Sequence, residues 1–130
     1  VKKLGIEENV LFLGKQKNIS DLLSISDLKL LMSEKESFGL VLLEAMACEV
    51  PTIGTSVGGI PEVIIHDETG YIVPLGDTEK AATYAIDLLK DKKKLERFRH
   101  NALERVHNMF GSGKILDEYI TLYDQLLANR

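Results

Sequence analysis

The sequence predicts an α/β domain built on a parallel sheet flanked by helices, with a helical C-terminal segment. Short apolar runs of strand length alternate with helical patterns up to about residue 73. The stretches between those runs carry helices, the crossovers that parallel strands require. From residue 78 onward the pattern is all helix.

Val1-Lys2-Lys3-Leu4-Gly5 reads as the tail of a helix ending at Gly5, so the chain is expected to be cut from something longer. Val10-Leu11-Phe12-Leu13 reads as a buried strand ended by Gly14. Ile19 to Ser26 is a short helix with Asn18 or Ser20 as its cap. Leu28 to Met32 is the next strand, and Gly39 to Cys48 an apolar helix. Pro51-Thr52-Ile53-Gly54 is a strand entered through proline. Gly58-Gly59-Ile60-Pro61-Glu62 leads into a short helix, since proline suits the first helical turn. Tyr71-Ile72-Val73 is the last strand. Helices follow from Thr78 to Lys90, Lys92 to Met109 and Ser112 to Leu127.

The chain has 130 residues, one domain's worth and enough for a sizeable core. With a net charge of −4 and both signs interspersed, nucleic acid is not an expected partner. No apolar run approaches the roughly 20 residues of a membrane span. The start is no signal peptide. Cys48 is the single cysteine, which rules out an intrachain disulfide and suits a reducing cytoplasm.

In parallel sheets ligands sit outside the carboxyl ends of the strands. That end carries Gly14-Lys15-Gln16, Ser33 to Gly39 and Thr55 to Gly59, three loops expected to converge on one cleft. Glu36 and Glu44 bracket the start of the apolar helix, eight residues apart. A carboxylate buried in such a run is costly unless hydrogen-bonded. The helix N-terminus favours a phosphate near the amides of Gly39, Leu40 and Val41. Glu44, over a turn farther on, would reach ribose hydroxyls, and Glu36 a sugar beyond the phosphates. The pattern suits a sugar nucleotide. The plainer reading is that Ser37 caps the helix, Glu36 complements its dipole and Glu44 faces solvent.

The run Ser33-Glu34-Lys35-Glu36-Ser37-Phe38-Gly39-Leu40-Val41-Leu42-Leu43-Glu44-Ala45-Met46-Ala47, followed by Gly58-Gly59-Ile60-Pro61-Glu62, resembles the family-four retaining glycosyltransferases. These have two Rossmann-like halves, the GT-B fold, and the likeness from about Val10 to Val73 is to the C-terminal, donor-binding half. The resemblance implies that residues 1–130 form a single nucleotide-sugar-binding domain, with an N-terminal acceptor-binding domain as partner. It implies that Glu44 binds the ribose and that Glu36 contacts the transferred sugar as the catalytic carboxylate. Ser37, Phe38, Gly39, Leu40 and Val41 would surround the sugar or diphosphate, with Lys15 and Gln16 near the base. An Arg and a Lys that neutralise the diphosphate are expected upstream. No metal or other cofactor is expected, and the sequence has no Asp-x-Asp motif.

Within that family, the stretch from Asp21 to Cys48 is similar to members that pass N-acetylglucosamine from UDP-N-acetylglucosamine to L-malate in bacillithiol biosynthesis. The alternatives are another acceptor in the same family, half of a nucleotide-sugar epimerase, or a non-enzymatic α/β signalling module. Where the family usually has Gly, this chain has Glu49, at a position that favours a left-handed backbone.

Other residues have ordinary readings. Cys48 reads as a small buried residue rather than a nucleophile. His66, His100 and His107 do not form a metal set. Lys92-Lys93-Lys94 reads as a solvated helix start. Tyr119 and Tyr123 read as core packing on the last helix, or as a docking face for the other half.

Overall fold

Three short parallel strands form the sheet in the order β1 (Lys29–Leu31), β2 (Thr52–Thr55), β3 (Gly70–Val73). The computed structural model describes residues 1–128. All four residues of β2 are buried, as the middle strand of a sheet covered on both faces must be. The connections are helices: α1 (Ile19–Ser24) precedes β1, α2 (Leu40–Ala47) joins β1 to β2, and α3 (Ile60–Val63) joins β2 to β3. Then come α4 (Thr78–Lys90), α5 (Lys92–Phe110) and α6 (Ser112–Ala128). The predicted fold class therefore holds, with strand and helix ends moved by a residue or two.

Alternation along β3 divides the core. Tyr71 and Val73 join Ile53, Ala81, Leu88, Leu95 and Phe98 beneath α4 and α5. Ile72 and Leu31 pack with the opposite cluster of Leu42, Met46, Ile60, Val63, Ile64 and Ala102. A small satellite of Leu23, Ala45 and Val50 holds α1 against α2. Asp77 caps α4 by accepting from the Lys80 N–H at 3.0 Å, and Asp91 caps α5 from the Lys94 N–H at 3.0 Å.

Lys94 is no solvated helix start. Its Nζ pairs with Asp87 at 2.5 Å and lies 5.4 Å from the Tyr71 ring and 5.9 Å from that of Phe98. Tyr71 stacks on Tyr84 at 4.0 Å. Hydrogen bonding to Asp87, then to Tyr71, raises the Lys94 pKa. Burial is the main cause that pushes the Tyr71 hydroxyl up, opposed by Lys94.

Two expectations fail. Residues 10–13 form no strand, and Leu11 and Phe12 are 80% and 82% exposed. A strand exists only where its ladder is paired, and this run joins neither outer edge of the described sheet. Tyr119 and Tyr123 do not pack into the core, because α6 buries none of its residues. The helical spacing of Ile115, Tyr119, Tyr123 and Leu126 identifies an apolar face correctly, but spacing does not say what covers it. No helix among the described residues is long and apolar enough to cross a membrane.

Candidate functional site

The loops at the carboxyl ends of β1 and β2 are braced on each other. Thr55 Oγ1 donates to the Ser33 carbonyl at 2.6 Å, and the Gly59 N–H donates to the Ser37 carbonyl at 3.1 Å. Both Gly58 and Gly59 are required for this approach. A Cβ on Gly58 (φ +51°) would overlap the Glu36 carbonyl, and one on Gly59 would lie 2.8 Å from Phe38 Cα. Two of the three loops expected at the cleft therefore meet. The third, Gly14-Lys15-Gln16, stays in an exposed segment, where Gln16 Nε2 donates to the Leu13 carbonyl.

Gly39 is the N-cap of α2, with φ 89° and ψ 44°. It is buried, and an added Cβ would sit 3.2 Å from Leu42 Cδ1. The Leu42 N–H already turns back to the Gly39 carbonyl at 2.8 Å. The amides of Leu40 and Val41 have no helical carbonyl four residues back, so they point out of the helix start. Leu40 is 65% exposed there. Ser37 does not cap the helix: no side chain does, because the left-handed glycine stands at the capping position.

The two acids sit apart, and Glu44 faces solvent as the plainer sequence reading has it. Glu36 is half-buried in the β1–α2 loop, where Oε1 accepts from the Ser37 N–H at 3.1 Å. Glu44 is exposed despite its apolar neighbours, because Leu42, Ala45 and Met46 take the inward face of α2. It faces an open cavity of about 460 Å³ lined by Lys17, Ile19, Ser20, Leu23, Ala47 and Cys48. Lys17 and Ser20 were not singled out as site residues by sequence reasoning. Their signal was faint: Lys17 is two residues from Lys15, and Ser20 passes for a helix cap. Glu36 does not line this cavity.

Cys48 is half-buried at the cavity wall. His100 and His107 are exposed, and His100 lies 4.0 Å from Glu104. The His66 Nδ1 accepts from the Ile72 N–H at 3.1 Å. Among the described residues no cluster of His, Cys, Asp and Glu is arranged to hold a metal ion.

A sequence model of the family described as "Glycosyl transferases group 1" matches residues 1–105. The chain belongs to this family. It is 58% identical over 129 residues to the N-acetyl-alpha-D-glucosaminyl L-malate synthase of Bacillus anthracis, covering 99% of this chain and 34% of that protein. Among solved structures, sucrose-phosphate synthase from Thermosynechococcus elongatus superposes with a TM-score of 0.90 at 31% identity, over 99% of this chain and 33% of that one. Anabaena HepE, in complex with UDP and glucose, gives 0.89 at 27% identity, over 95% and 34%. The chain thus spans about a third of the curated relatives it matches. Over the matched region these solved structures share the fold of the chain described above, sheet, flanking helices and helical C-terminal segment.

Proposed function

We propose that this chain is the donor-binding half of a retaining glycosyltransferase that takes N-acetylglucosamine from UDP-N-acetylglucosamine and passes it to L-malate. The observation that carries the reading is 58% identity, along 99% of the chain, to an N-acetyl-alpha-D-glucosaminyl L-malate synthase. The geometry supports it. The amides of Leu40 and Val41, with no helical carbonyl to bond, suit a diphosphate, which gains charge as its bond to the sugar breaks. Glu44 offers two acceptor oxygens to the ribose hydroxyls, inside a cavity where Lys17 supplies a cation. Glu36 orients the sugar from the braced loop, while the acceptor hydroxyl attacks on the face the diphosphate leaves. Lys15 and Gln16 lie near the base in this reading. The acceptor site belongs to an N-terminal domain, and the apolar face of α6 is offered as a surface for that domain.

An NMR titration with UDP, UDP-N-acetylglucosamine, ADP and GDP tests this. Shifts from Gly39 to Glu44 are expected with the uridine nucleotides alone. Glu44→Ala should cost about 1.5–3 kcal/mol of UDP binding, the worth of hydrogen bonds to a charged group. Silence towards every nucleotide in the full-length protein would sink the reading.

A further inference from the structure

We infer that Arg105, on α5, is a positioning residue that holds the sugar-facing loop in place from behind. This inference rests on the donor-site reading above. The Nε of Arg105 donates to the Val63 carbonyl at 2.7 Å, and Nη2 donates to the Glu62 carbonyl at 2.5 Å. These are the last carbonyls of α3, a helix of four residues that cannot hold itself together by propagation. The planar guanidinium holds both carbonyls from one rigid fork, a fixed geometry that a lysine ammonium, with rotating donors on a flexible stem, reproduces poorly.

From α3 the constraint runs to the site by two routes. The first is through the start of α3. Ile60 would meet a Cβ on Gly39 at 3.6 Å, and Gly58 and Gly59, just before it, press on the backbone of Glu36, Ser37 and Phe38. The second is through rings. The guanidinium of Arg105 lies 5.6 Å from the Phe110 ring centre, and Phe110 meets Phe38 edge-on at 6.0 Å. Phe38 is therefore held between Gly59 and Phe110, one residue from the N-cap of α2 and two from Glu36. Arg105 does not line the Glu44 cavity and bonds to neither Glu36 nor Glu44, so its effect on the site passes through α3 and the loop.

This placement separates two affinities. UDP leans chiefly on Glu44 and its cavity, which Arg105 does not brace, and meets the braced region only at the α2 amides, through Ile60 and Gly39. The sugar depends on Glu36, which Arg105 does brace. Calorimetric titration of the full-length protein with UDP and with UDP-N-acetylglucosamine, for wild type, Arg105→Lys and Arg105→Met, reads the difference. The expected result is a loss of about ten- to a hundredfold for UDP-N-acetylglucosamine, the scale of hydrogen bonds to a charged group such as Glu36, with UDP weakened by no more than about threefold. Parallel losses for both ligands, or no loss for either, overturn the inference. If the Arg105 variants fail to fold, Phe110→Leu cuts the ring route alone, and the same two outcomes apply with a smaller selective loss expected. A wild-type protein that binds neither ligand would instead overturn the donor-site reading itself.

Discussion

Glu49 occupies the left-handed position that closes α2, with φ 59°. The Val50 N–H reaches the Ala45 carbonyl at 2.9 Å and the Glu49 N–H reaches that of Met46 at 3.1 Å, the paired bonds of a Schellman ending. A glutamate there bears the steric penalty a glycine avoids. Glu49→Gly is expected to raise unfolding free energy by about 1 kcal/mol in urea denaturation, with UDP binding unchanged. Gly58 makes the opposite case. Its φ of +51° and the overlap its Cβ would make with the Glu36 carbonyl mean that Gly58→Ala must push the two site loops apart. The variant should lose about 1–3 kcal/mol of stability, read by the same denaturation, and weaken UDP-N-acetylglucosamine more than UDP.

At the scale of elements, α2 is the piece on which site and core meet. Leu42, Ala45 and Met46 bury its inner face, leaving its N-terminal amides and Glu44 outward. α6 is its contrast. The helix has an apolar face, yet Tyr119 and Tyr123 remain 56% and 62% exposed. Since it buries nothing, a chain ending at Gly111 should unfold within about 0.5 kcal/mol of the full sequence, measured by urea melts followed by circular dichroism. A larger loss would mean that α6 covers the core in solution. The helices and strands were mostly legible from apolar spacing, and Asp77 and Asp91 stand where helix starts call for caps. The run 10–13 was misread because strand pairing is not a local property.

For the whole molecule, the Lys94–Tyr71–Asp87 group contributes stability that is lost at alkaline pH. The Lys94 pKa is raised above its unfolded value near 10.4, so the folded state holds that proton more tightly. The contribution is fully present below that unfolded value and is lost as pH rises through the folded one. Tyr71, also raised, acts with the same sign. Stability should therefore be flat from about pH 7 to 9 and fall above about pH 10, with a shallower fall in Asp87→Asn. Urea midpoints across that range check it.

Local chemistry was enough for the α/β class, the helix that presents its N-terminus and the motif that resembles the family, and that resemblance in turn flagged the left-handed position at Glu49. Those features depend on residues near one another in the chain, where spacing, capping and backbone preference act directly. The tertiary structure alone decided that Glu44 faces an open cavity with Lys17 and Ser20. It alone brought Gly58 onto Glu36 and set Arg105 behind α3, 42 residues from the Val63 carbonyl it holds. Such contacts arise where separate elements close on a shared core, and no local pattern encodes which surfaces will meet.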